Sequence, residues 1–295
     1  MVNPALSAIH VYPVKSAAGA APLEAVVEPW GLAGDRRWMV VEPGGRYVTQ
    51  RQQARMALVS AEPLPGGGIR LSAAGHEPLT VAVPEPGDAA AVSTVWLHKE
   101  AVEVVSAGAA ADEWFSGFLG SPVRLVHLDD PARRRPLAPD FARGGETVSL
   151  ADEFPLLLTT TASLDALNSL IAQGDHPDEG PLPMNRFRPN VVVEGTAPWA
   201  EDDWQRIRIG EVVFRVTKPC ARCVITTTDQ ETAERGKEPL RTLARHRRAG
   251  DQLLFGQNLV PEFPELSELP SAVGLLGEGR GPGTLRLGDR VEILE

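Results

Sequence analysis

Only two cysteines occur in 295 residues, which excludes a disulfide framework and fits a reducing compartment. No apolar run approaches the roughly 20 residues needed to span a bilayer. The opening residues, Met1-Val2-Asn3-Pro4-Ala5-Leu6, have neither the charged segment nor the apolar block of a signal peptide. A cytoplasmic protein with no membrane partner is expected. Basic stripes are missing as well: the formal net charge is -10 and, apart from Arg133 to Arg135 and Arg245 to Arg248, charge is spread along the chain. Without such a stripe, no nucleic-acid partner is expected. There is no internal repeat and no low-complexity segment, yet 26 prolines and 28 glycines are present, implying many turns between short strands.

The length favours two domains of unequal size with a core that needs no staples. Ser7 to Tyr12, Arg37 to Val41, Thr94 to Leu97 and Ala101 to Val105 read as strands separated by Gly and Pro turns, the spacing of a small barrel or sandwich rather than βαβ units. Residues 109 to 119 read as a short amphipathic helix with Trp114, Phe115 and Phe118 inward. Val123 to Leu128 follows as a strand, then a polar, proline-broken link from Asp129 to Glu146. The arginine run inside that link reads as a solvated face, or as a lid over an anion. In the second half, Phe154 to Leu158 reads as a strand. Thr161 then caps a helix through Gln173 with Leu164, Leu167, Leu170 and Ile171 on one face. Val191 to Val193, Arg206 to Ile209, Val212 to Val216 and Phe255 to Val260 are further strands, and Lys237 to about Arg248 a helix. Residues 261 to 282 form a long Pro/Gly-rich loop, and Gly283 to Leu294 a hairpin that closes a barrel. The fold class is mainly β with α (α+β).

Both cysteines lie in Lys218-Pro-Cys-Ala-Arg-Cys-Val-Ile-Thr-Thr-Thr228. Lys218 and Arg222 beside them are expected to lower a thiol pKa, and the thiolate is both nucleophile and metal ligand. A thioredoxin-type dithiol would open a helix, whereas Val224, Ile225 and Thr226 to Thr228 are β-branched and argue for an extended exit. Structural zinc needs four ligands, and no second Cys or His pair stands at suitable spacing. An inert buried pair is a third reading. A metal taking one protein thiolate, its other ligands supplied by an organic cofactor, is a fourth. A phosphate-bearing cofactor requires a local group of basic side chains in this acidic protein. Lys15 and Ser16 at a strand end, Arg36 in the Gly31 to Trp38 turn, and Arg186, Arg188 and Asn190 at a strand entrance supply donors of that type.

Val11-Tyr12-Pro13-Val14-Lys15-Ser16, Asp35-Arg36, Phe187-Arg188-Pro189-Asn190, Cys220-Ala221-Arg222-Cys223, Lys237-Glu238-Pro239-Leu240, Phe255-Gly256-Gln257 and the closing Gly-Thr-Leu-Arg-Leu-Gly-Asp occur in one order. In that order and spacing the chain resembles proteins with an N-terminal β-barrel followed by a MOSC domain (molybdenum cofactor sulfurase C-terminal domain), and most of all the amidoxime-reducing component group and its bacterial relatives. The resemblance implies a small N-terminal barrel-like domain over residues 1–126 and a MOSC β-barrel domain with flanking helices over 127–295. It implies a molybdenum-molybdopterin cofactor, with Cys223 on the metal and Lys15, Ser16, Arg36, Arg188, Asn190 and Arg222 on the pterin and its phosphate. The role of Cys220 stays open between packing and tuning of the metal.

The implied chemistry is two-electron reduction of a small N-hydroxylated substrate, an amidoxime or hydroxylated base, to the parent base and water. Some relatives carry a fused ferredoxin domain whose cysteines are missing here, so a separate electron donor of flavin or iron-sulfur type is expected. The desulfurase domain of cofactor sulfurases is missing too, which argues against sulfur transfer as the chain's own activity. The alternative from another class is a cofactor carrier or sulfur-relay module that binds the pterin or a persulfide without turnover.

Overall fold

The fold is that of a computed structural model, which describes residues 3–85, 92–263 and 283–295. In chain order the strands are β1 (Ala5–Ile9), β2 (Glu24–Glu28), β3 (Gly31–Leu32), β4 (Trp38–Val41), β5 (Ser60–Pro63), β6 (Ile69–Ala73), β7 (His76–Val81), β8 (Val92–Leu97), β9 (Glu100–Ser106), β10 (Arg124–His127), β11 (Leu156–Thr160), β12 (Val191–Glu194), β13 (Arg206–Ile209), β14 (Val212–Ala221), β15 (Arg248–Ala249), β16 (Gln252–Glu262), β17 (Thr284–Arg286) and β18 (Val291–Ile293). The helices are α1 (Ala109–Leu119), α2 (Pro131–Arg134), α3 (Thr161–Ala172) and α4 (Leu240–His246). Among the described residues no helix is long and apolar enough to cross a membrane.

The largest sheet runs β1-β12-β11-β16-β14-β13-β18, with β15 on β16. All its pairings are antiparallel except β11 with β12. An antiparallel bridge between Ala5 and Arg290 brings its two ends together, so the sheet is a nearly closed barrel. β11 is buried along its whole length and reads Leu-Leu-Leu-Thr-Thr, as expected of a strand covered on both faces. Leu6, Leu158, Val193, Ile207 and Phe214 fill the interior. Gly256 sits at φ +80°, where a Cβ would stand 2.6 Å from the Leu158 carbonyl oxygen; glycine is the residue that permits this approach.

The other body is built on β4-β10-β9-β8 and β5-β6-β7. α1 covers it with Ala111, Phe115, Phe118 and Leu119, and Trp114 packs half-buried beside them. Each large buried side chain contributes about 1.5–3 kcal/mol. The helix stops where Gly120 turns left-handed at φ +70°, the usual glycine exit.

Four local readings need correction. The cap of α3 is Thr160, one residue early, its hydroxyl accepting from the Ser163 N–H. Helix α4 begins at Leu240 rather than Lys237. The closing segment does close the barrel, but not as a hairpin: β17 pairs with β2 and β18 with β13. After Cys223 the chain makes a 3-10 turn, Val224 to Thr227, instead of running extended. The Thr226 and Thr227 hydroxyls donate to the carbonyls of Cys223 and Val224, both at 2.9 Å, and this back-bonding overrides β propensity. Of the loop expected over 261–282, residues 264 onward lie outside the described residues.

Candidate functional site

Loops from both bodies converge on one cavity of about 250 Å³. Lys15, Ser16, Arg36, Arg188, Asn190, Arg222 and Cys223 all line it, with Cys220, Arg51, His98, Asp152 and Phe187 among their neighbours. The backbone is held where ordinary side chains seldom go. Ser16, Arg36, His98 and Arg188 have φ of +68°, +47°, +56° and +54°. These are four of the six described non-glycine residues at positive φ, and such strain persists where the surrounding structure over-determines it, typically at functional sites.

Two arginines meet on one ring. The guanidinium carbons of Arg36 and Arg188 lie 4.5 Å and 4.2 Å from the Tyr12 ring centroid. Burial pushes the Tyr12 hydroxyl up to about 12, against the pull of Arg188 and Arg36, and the hydroxyl donates to the Pro189 carbonyl at 3.1 Å. Arg36 is anchored by buried Asp35, which also accepts the Tyr12 N–H at 2.8 Å. Burial lowers the Arg36 pKa, but the Asp35 carboxylate more than reverses this and the net shift is upward. Arg188 has no such anchor, and burial brings it down to about 10. Asn190 is spent on positioning: its amide oxygen accepts from Arg36 at 3.0 Å and from the Leu157 N–H at 3.2 Å, and its amide nitrogen donates to the His10 carbonyl at 3.1 Å.

Lys15 is buried; it donates to the Leu150 carbonyl at 2.8 Å and pairs with Asp152. Burial pulls its ammonium down to about 8, with Asp152 opposing. The carboxyl of Asp152 would rise on burial, but Lys15, His98 and Arg51 hold it well below the usual range. Below a pH of about 8 Lys15 carries its charge, and above it that charge is lost. Sulfate affinity, measured by calorimetry, is therefore expected to fall as pH rises through about 8. The fall should be roughly tenfold, the worth of one charge-assisted hydrogen bond, and Lys15→Met should flatten it.

The cations around the two thiols are distributed differently from the expectation. Lys218 pairs with Glu153 at 2.8 Å and lies over the Phe141 and Phe154 rings. Arg222 serves Cys220, donating to its sulfur at 2.8 Å and to the Phe187 carbonyl at 2.7 Å. Burial nonetheless pushes the Cys220 thiol up, Arg222 opposing, so a lowered pKa is not found there. Cys223 is served by Arg51, whose Nη2 is 3.4 Å from its sulfur and 3.1 Å from Asp152. Sequence reading missed Arg51 because 172 positions separate it from Cys223. The available signal was the polar run Thr49 to Gln53, of which Thr49 and Gln50 are buried.

Arg135 is not a solvated run residue. It is buried and donates to the carbonyls of Ser149, Ala151 and Asp152, fixing the loop that presents Asp152. The side chains of Arg133 and Arg134 lie outside the described residues.

The pocket residues fit an anionic cofactor. Nη2 of Arg188 and Nε of Arg222 are buried without a partner among the described residues. Leaving a charged donor unpaired is costly, and the oxygens of an anionic ligand would satisfy such groups.

Comparison with known proteins gives two domain matches: a MOSC N-terminal β-barrel domain over residues 3–122 and a MOSC domain over 145–292. Mitochondrial amidoxime-reducing component 1 of Homo sapiens is 35% identical over 92% of this chain and 82% of its own length. The Mus musculus protein of the same name is 32% identical over 97% and 81%. Molybdenum cofactor sulfurase of Danio rerio is 31% identical over 90% of this chain but only 33% of its own length. With both domains matched in order and that identity carried across nearly the whole sequence, the chain belongs to the MOSC domain family.

Proposed function

We propose that this protein is a molybdenum-cofactor-dependent reductase of N-hydroxylated compounds, including amidoximes and N-hydroxylated bases. One observation carries the reading: a single cavity joins the Cys223 thiol to Lys15, Arg36, Arg51, Arg188 and Arg222. The similarity to the amidoxime-reducing components supports it. Thiol and cations suit different parts of one ligand, sulfur for a metal and forked or point-charge donors for a phosphate.

Cys223 would hold molybdenum, while Lys15, Ser16, Arg36, Arg188 and Arg222 hold the pterin and its phosphate, and Asn190 fixes Arg36. The bound cofactor supplies the two-electron chemistry that breaks the N–O bond. The remaining tasks fall to the chain. Phe154 and Phe187 give the cavity wall an apolar part. Arg51 and Asp152, joined at 3.1 Å, place a donor and an acceptor beside Cys223 where a substrate is oriented. Electrons come from a separate flavin or iron-sulfur protein.

The test uses protein made in a cofactor-competent host, with a dithionite-reduced viologen and an amidoxime. Conversion to the amidine is expected. Full molybdenum occupancy with no reduction of any N-hydroxylated substrate would sink the reading. Persulfide on Cys223 with cofactor handover to an acceptor would instead establish the carrier or sulfur-relay alternative.

A further inference from the structure

His98 belongs to none of the binding roles above, yet it lines the cavity. It is the first of two residues at the tip of the β8–β9 hairpin, where Leu97 pairs with Glu100. Its φ is +56°, a position that two-residue hairpin loops ordinarily give to glycine, asparagine or aspartate. A histidine held at positive φ at a cavity wall is the kind of backbone outlier that clusters at functional sites. That side chain is 45% exposed, in reach of solvent. Tyr47 bonds its Nδ1 at 3.2 Å, and Nε2 lies 3.9 Å from the Asp152 carboxylate. In the imidazolium form, the form able to give up a proton, Nδ1–H donates to the Tyr47 hydroxyl and Nε2–H faces Asp152 and the cavity. The titratable and charged groups around this cluster are Lys15, Arg46, Arg51, Asp152 and Cys223, with Lys99 and Glu100 next in the chain.

We propose that His98, aligned by Tyr47 and Asp152, donates the proton that turns the departing oxygen of the substrate into water. The proposal rests on the reductase reading. In that reaction the N–O bond of an amidoxime breaks and two electrons arrive from the flavin or iron-sulfur donor. One proton goes to the nitrogen and one to the hydroxyl oxygen, leaving amidine and water. Imidazolium His98 supplies the second proton from Nε2, is left as neutral imidazole, and regains a proton from solvent.

The test compares wild type, His98→Gly and His98→Asn, each loaded with cofactor, using the viologen assay, molybdenum content and thermal melting. Glycine relieves the left-handed backbone, so His98→Gly is expected to melt at or above the wild-type temperature and to retain its metal. Its turnover is expected to fall about 100-fold, the low end for loss of a general acid, and added imidazole is expected to restore it saturably. His98→Asn, which also tolerates positive φ, should lose turnover likewise. Wild-type turnover in His98→Gly, or a loss that imidazole does not rescue, overturns the proposal alone. A fully loaded wild type that reduces no N-hydroxylated substrate overturns the reductase reading and this proposal together.

Discussion

Cys223→Ser is expected to take molybdenum from near one per chain to a trace, measured by elemental analysis with pterin detection on protein from a cofactor-competent host. A serine hydroxyl is a harder ligand and stays protonated where a thiol ionises, so it cannot take the place of the thiolate. Cys220→Ser is expected to keep the metal. Its sulfur is committed to Arg222 at 2.8 Å, and burial pushes its thiol up, away from the thiolate form. Equal loss in the two variants would mean that the pair acts as a unit. No loss in either would move the metal away from Cys223.

Asp35→Ala carries the largest expected cost in stability, about 3–5 kcal/mol, the range for removing one partner of a buried ion pair. Asp35 is 1% exposed. Its carboxylate accepts the Tyr12 N–H and the Arg36 guanidinium, and Arg36 shares the Tyr12 ring with Arg188. Alanine leaves two guanidinium groups on one ring without their anion, and an N–H without an acceptor. The readout is the denaturant midpoint, with Asp35→Asn as comparison. Asparagine keeps an acceptor for Tyr12 and should cost less. Sulfate binding should fall in both variants as Arg36 loses its anchor. An alanine variant within about 1 kcal/mol of wild type, the scale of an exposed pair, would show that solvent screens this site.

Much of this was legible because it is local. Residues 109 to 119 announce α1 through apolar spacing and a terminal glycine. β11, β12 and β14 announce themselves through branched and apolar runs. Lys15, Ser16, Arg36, Arg188, Asn190, Arg222 and Cys223 were nameable one by one, because motif order survives in a linear string, and they line one cavity. The turn after Cys223 was not legible, since threonine prefers strands and only its hydroxyl bonds to Cys223 and Val224 tighten the chain.

The sequence by itself determined the mainly β class, the strand and helix periods, the two-cysteine segment and the family resemblance, all carried by residues close together in the chain. Tertiary structure alone decided which cation meets which thiol. The β1–β12 pairing and the Ala5–Arg290 bridge seat the first strand in the large barrel, and loops of the first hundred residues line the cavity beside Cys223. Arg51 and His98 become pocket residues at long sequence distance and by side-chain placement, which no local pattern of hydrophobicity or turn chemistry encodes.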